Sequence, residues 1–104
     1  MGQTAYRADI TAMTNASPCQ VTTNEAHGYA TDDYVRLTDL NGMIPVARGM
    51  TPINNGRFKI IVLDTTNFTL RDPITLEPID STGYAAYVEG GYCNKIAEQF
   101  TYNS

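Results

Sequence analysis

Turn-forming residues recur through this chain at short intervals, and the runs between them are too brief for helices. His27-Gly28-Tyr29-Ala30-Thr31-Asp32-Asp33 leads into Tyr34-Val35-Arg36-Leu37. Asn41-Gly42-Met43 follows, then Asn54-Asn55-Gly56 before Arg57-Phe58, then Thr66-Asn67 before Phe68-Thr69-Leu70. Gly supplies positive φ, and Asn and Asp fold their side chains back on the local backbone. Runs of β-branched and aromatic residues punctuated this way are the pattern of short antiparallel strands.

The runs predict six strands. Ala8–Met13 and Cys19–Thr23 form a hairpin around Asn15-Ala16-Ser17-Pro18. In the third, Tyr34–Thr38, Val35 and Leu37 share one face while Tyr34 and Arg36 share the other. The fourth, Arg57–Leu63, is largely apolar on both faces and is expected to be central or covered on both sides. Phe68–Arg71 pairs back on it across Asp64–Asn67. Tyr84–Val88 is the predicted last strand, stopped by Gly90-Gly91.

Two segments stand between strands. Asp39–Gly56 is longer than the usual connection in a compact domain, which suits a binding loop. Asp72–Gly83 carries two prolines and has room for one helical turn. A second single turn is predicted over Lys95–Gln99, too short to stand alone. No 3.6-residue period is sustained, so a helical fold is excluded. Strands this short either close on themselves or leave unpaired edges. The fold class is therefore all-β: a small closed or partly open antiparallel barrel of about six strands, with a long loop and an extended C-terminal tail. The boundaries are an arm over 1–7, a barrel over 8–91 and a tail over 92–104. Deleting 92–104 is then expected to leave the barrel folded and to stop assembly.

A chain of 104 residues, 42% hydrophobic and 17% charged, makes one domain with a modest core. Its net charge of −4, with Lys and Arg scattered along the sequence, argues against a nucleic-acid binder. Met1–Arg7 lacks the apolar core of a signal peptide, and no apolar run approaches the ~18 residues of a membrane span. A protein made in a cytoplasm, with no membrane partner, is expected.

The residues offer little chemistry. Cys19 and Cys93 lie far apart and read as reduced, small apolar residues, with a bridge between the ends of the domain as the alternative. His27 reads as a loop cap rather than a base or a metal ligand. Asp32-Asp33 misses the spacing of a calcium loop. Gly90-Gly91 lacks the Lys-Ser or Lys-Thr of a phosphate cradle. No catalytic residue, metal or cofactor is assigned. The candidate partner-binding residues are Met43, Ile44, Met50 and Ile53 of the long loop, and Tyr92, Phe100 and Tyr102 of the tail. Aromatic and apolar side chains of this kind are enriched in interface cores.

The run His27–Val35 resembles a pattern of the form HGLxxGDxV. Gly42-Met43, Asn55-Gly56-Arg57-Phe58, Asn67-Phe68-Thr69-Leu70 and Gly83–Gly91 continue it in order. In this the chain resembles the first catalytic cysteine half-domain of ubiquitin-activating enzymes, a small β-barrel. The same module appears in virion and tail-associated proteins of tailed bacteriophages. Tyr29 replaces the usual Leu, and Asp32 stands where Gly is common. Neither cysteine lies in a ubiquitin-charging motif. The resemblance implies a non-enzymatic virion protein present in several copies around a ring and bound to other virion proteins. A head-to-tail connector or tail accessory subunit comes first, and a capsid decoration or fibre-attachment protein second. A carbohydrate or host-surface binding module is the reading from another class, and a small hydrolase is the weakest.

Overall fold

The structure, a computed structural model, describes residues 7–43 and 53–96. Its strands are β1 (Arg7–Met13), β2 (Gln20–Thr23), β3 (Tyr34–Thr38), β4 (Arg57–Val62), β5 (Asn67–Arg71) and β6 (Tyr92–Ile96). They close in the order β1-β2-β5-β4-β3-β6. Every neighbouring pair is antiparallel. β3, β4 and β5 form a meander, and β6 returns over a long connection to lie beside β3, which is a Greek key.

Alternation places the core. Val35 and Leu37 of β3, Phe58 and Ile60 of β4, and Phe68 and Leu70 of β5 point inward and are buried. In β1 the inward set is Ala8, Ile10 and Met13, which breaks the period of two. The cause is a bulge. Ile10 pairs with Thr23 and Ala12 with Thr22, so Thr11 is an extra residue. One added residue flips the strand's faces and turns Met13 inward.

The sixth strand differs from the sequence expectation. Tyr84–Val88 is not a strand. It packs on the segment after β3, with Val88 N–H donating to Asn41 C=O at 2.8 Å and an isolated bridge joining Asn41 to Glu89. Gly42 permits the approach, because a Cβ there would run into the backbone of Ala86, Tyr87 and Val88. The strand that completes the barrel is Tyr92–Ile96, placed in the tail by the sequence reading. Gly90 (φ 77°) and Gly91 (φ 89°) do not stop the chain but swing it into register with β1 and β3. The barrel thus runs through Ile96 rather than ending at Gly91. Lys95 and Ile96 are strand, not helical turn, and 97–99 lie outside the described residues.

β4 is central, flanked by β5 and β3, but it is not covered on both sides. Its inner face is buried, but Ile61 is 38% exposed and Leu63, just beyond its end, is 52% exposed. Ile61 on the outer face of β4 and Leu63 beyond it are therefore turned to solvent rather than covered.

The two ends of the barrel carry different loops. The 24–33 loop and the β4–β5 turn share one end, where β1 begins and β6 finishes. The β1–β2 turn, the β3–β4 loop and the β5–β6 connection share the other. There Ser81, fully buried, donates its hydroxyl to Thr14 C=O at 2.6 Å, and Asn15 Nδ2 donates to Ser81 and Tyr84 C=O at 3.0 Å.

Because β6 bridges β1 and β3, the truncation prediction reverses. Removing 92–104 should abolish cooperative thermal unfolding followed by circular dichroism. Removing 97–104 keeps all six strands and should leave the transition cooperative.

Candidate functional site

The resemblance motif builds the first end of the barrel. His27 is 4% exposed and Tyr29 7%. Tyr29 N–H donates to His27 Nδ1 at 3.0 Å, so that nitrogen bears no proton. Nε2 then carries the hydrogen and donates to Asp64 C=O at 2.8 Å. The imidazole stacks on the Tyr29 ring at 5.2 Å and meets Phe68 edge-on at 5.4 Å. Tyr29 and Phe68 are themselves edge to face at 5.8 Å, and the Tyr29 hydroxyl donates to Cys93 C=O at 3.1 Å. These contacts tie the 24–33 loop to the β4–β5 turn, to β5 and to β6. Outside lies a shallow dent of about 360 Å³ over Gly28 and Val62.

His27 is therefore the loop cap expected from the sequence. Both ring nitrogens are committed to backbone, which leaves neither for a metal or a proton transfer. Asp32 takes up φ 78°, the region that a glycine adopts freely. Its carboxylate accepts from Arg71 Nη2 at 2.6 Å, and the same nitrogen donates to Ile60 C=O at 2.7 Å. That bond from Arg71 holds the Asp32 carboxyl below the ordinary range. Arg71, unremarked in the sequence reading, anchors the turn that replaces the usual Gly-Asp. Its signal was the departure at Asp32 itself. Asp33 accepts from Ala30 N–H at 2.9 Å and faces Lys95 Nζ at 3.5 Å.

The other carboxylates hold turns. Asp64 is lowered first by the Thr66 N–H and then by the Asn67 amide, Asp72 by the N–H groups of Thr75 and Ile74, and Asp80 by the hydroxyl and N–H of Thr82. Both cysteines are free and fully buried. Burial pushes the Cys93 thiol up to about 11 and raises that of Cys19. Such thiols are poor nucleophiles at neutral pH.

The candidate partner-binding residues scatter. Met43 and Ile53 are each 1% exposed and belong to the core, which corrects their assignment to an interface. They are apolar because they plug the second end of the barrel. Tyr92 is half-buried in β6 with the Arg7 guanidinium 3.9 Å from its ring centroid, so it is wall, not tail. Ile44, Met50, Phe100 and Tyr102 lie outside the described residues. Among the described residues the large apolar side chains that stand in solvent are Ile74 at 88%, Val88 at 64%, Leu63, Leu76 and Ile61. Of the tyrosines, Tyr34, Tyr84 and Tyr87 are half-buried against the barrel and Tyr29 is inside it.

A six-strand closed barrel with reactive groups turned to structural use defines a small β-barrel module. The chain belongs to the family of the FCCH domain of ubiquitin-activating enzyme E1, whose model matches residues 15–97. The match runs past Gly91 and takes in β6. No curated protein matches the chain.

Three outcomes follow. Replacing His27 with Phe keeps the ring but strands the Tyr29 N–H, and should cost about 1–3 kcal/mol in denaturant unfolding. Both thiols should resist a disulfide reagent at neutral pH in the native protein and react at once in denaturant. The lowered carboxylates of Asp64, Asp72 and Asp80 bind protons more readily when unfolded. Their contribution is thus complete above the ordinary carboxylate value of about 4 and is lost as pH falls through their lower folded values. The melting temperature should be insensitive to these groups from pH 7 to about 5 and drop below about 4.

Proposed function

We propose that this protein is a non-enzymatic structural subunit of a tailed-bacteriophage virion, a head-to-tail connector or tail accessory protein that binds other virion proteins in multiple copies. One observation carries this reading. The described histidine, thiols and turn carboxylates are spent on holding the barrel together, while apolar side chains such as Leu63, Ile74 and Val88 remain in water. A rigid body with its chemistry turned inward and apolar groups turned outward is suited to contact rather than turnover. Family membership supplies the fold, and the resemblance of the His27–Val35 and Gly83–Gly91 motifs to phage virion modules supports the setting.

In this reading the barrel is the rigid part, and repetition around a ring multiplies contacts that are modest singly. Nucleic acid and membrane are not its partners. A glycan-binding role draws no support from Tyr34 and Tyr92, since Lys59 Nζ lies 5.3 Å from the Tyr34 ring centroid and Arg7 covers Tyr92.

Quantitative mass spectrometry of purified particles tests the proposal. The protein should be found there at a fixed copy number above one per particle. Its absence from particles while present in the infected cell would end this reading.

A further inference from the structure

The outer wall of β3, β4 and β5 carries a charge pattern opposite to the rest of the surface. Arg36 stands directly across from Arg57, and Lys59 directly across from Arg71. Each alternates with inward core residues, so all four share the outer face. They are four of only seven Lys and Arg in a chain of net charge −4. Like charges set opposite one another destabilise a sheet. The opposition of Arg36 and Arg57 therefore does nothing for the barrel itself. Asp32 answers Arg71 and lies within the field of Lys59. Arg36 and Arg57 are exposed and form no ion pair among the described residues.

The acidic groups lie elsewhere. Of the described acidic residues, Asp9 alone sits on a strand. Asp33 and Asp64 are at the His27 end of the barrel, and Asp39, Asp72, Glu77, Asp80 and Glu89 at the other. The basic wall also has an apolar continuation, since the outer face of β4 runs on from Arg57 and Lys59 into Ile61 and then to Leu63 beyond its end.

We propose that this wall is the docking surface for a second copy of the same chain, which presents its acidic end loops to it. The proposal deepens the assembly reading and rests on it. Charge complementarity selects the occupant: a basic wall and acidic ends on one body satisfy each other only between bodies. The apolar flank argues for protein over nucleic acid, because a phosphate backbone gives Ile61 and Leu63 nothing to pack against. Repulsion between two net-negative copies is screened beyond about 8 Å at physiological salt, while contacts at the patch survive. A wall-to-end contact is heterologous, so it repeats from copy to copy and closes into a ring or runs into a file.

Sedimentation velocity of the purified full chain over a concentration series tests this, with wild type, R36E/R57E and the milder R36Q/R57Q. Circular dichroism reports whether each variant folds. Self-association should weaken with salt and fall roughly tenfold or more in the reversed variant, with the neutral variant between. Zero-length carbodiimide coupling of mixed light and heavy chains should join Lys59 of one copy to an end-loop carboxylate of another. A wild-type chain that stays monomeric throughout overturns the proposal, as does association indifferent to salt and to both variants. Salt-dependent binding of a duplex oligonucleotide by a monomeric chain, lost in R36E/R57E, would also overturn it by making the wall a phosphate site. Presence in particles without self-association defeats this inference alone. Self-association by a chain absent from particles defeats the virion reading alone.

Discussion

Closure through β6 is the constraint on which the rest of the molecule depends. β6 pairs with β1 on one side and β3 on the other, and without it both strands would be edges with unmet backbone groups. It also delivers Cys93 to the core and the Cys93 carbonyl to the Tyr29 hydroxyl. The end of the barrel bearing the resemblance motif is thus locked only when the last strand arrives. Gly90 and Gly91 make that arrival possible. Their positive φ turns the chain, and a Cβ on Gly91 would run into the Leu40 side chain and crowd the Thr38 carbonyl.

The chemistry a reader first looks for in the His27–Val35 motif is absorbed by this architecture. An imidazole with both nitrogens on backbone groups, stacked on Tyr29 and edge-on to Phe68, acts as a polar staple inside an apolar plug. The departure at position 32 follows the same logic. An aspartate in a conformation that favours glycine carries strain, and the ion pair to Arg71 compensates for it while tying the loop to β5. What the motif specifies is a loop bound to three strands.

The outer surface is organised by sign. Loops hold acids because Asp and Asn make the turns, and the carboxylates of Asp64, Asp72 and Asp80 are fixed by N–H groups beside them. Strands hold bases because a long aliphatic stem with a distal charge covers a pleated wall well. The segregation has a local cause at each residue, but closing the barrel collects the bases of three strands on one wall. That collection is a property of the sheet order, not of any one segment.

The sequence by itself determined the strand-and-turn alphabet. β1 to β5, the inward faces of β3 and β5, the all-β class and the capping role of His27 follow from a period of two and from local turn chemistry, both of which act within a few residues. Tertiary structure alone decided the rest. Tyr92–Ile96 has one buried apolar residue between polar neighbours, and it became a strand because two edges awaited it. Met43 and Ile53 look like interface residues in a long loop, and they are core because the barrel end beside them needed filling. The bulge at Thr11, the Ser81 network and the Arg36–Arg57 opposition each join residues distant in sequence. Burial and pairing between such residues are settled by which strands become neighbours, and no local pattern carries that information.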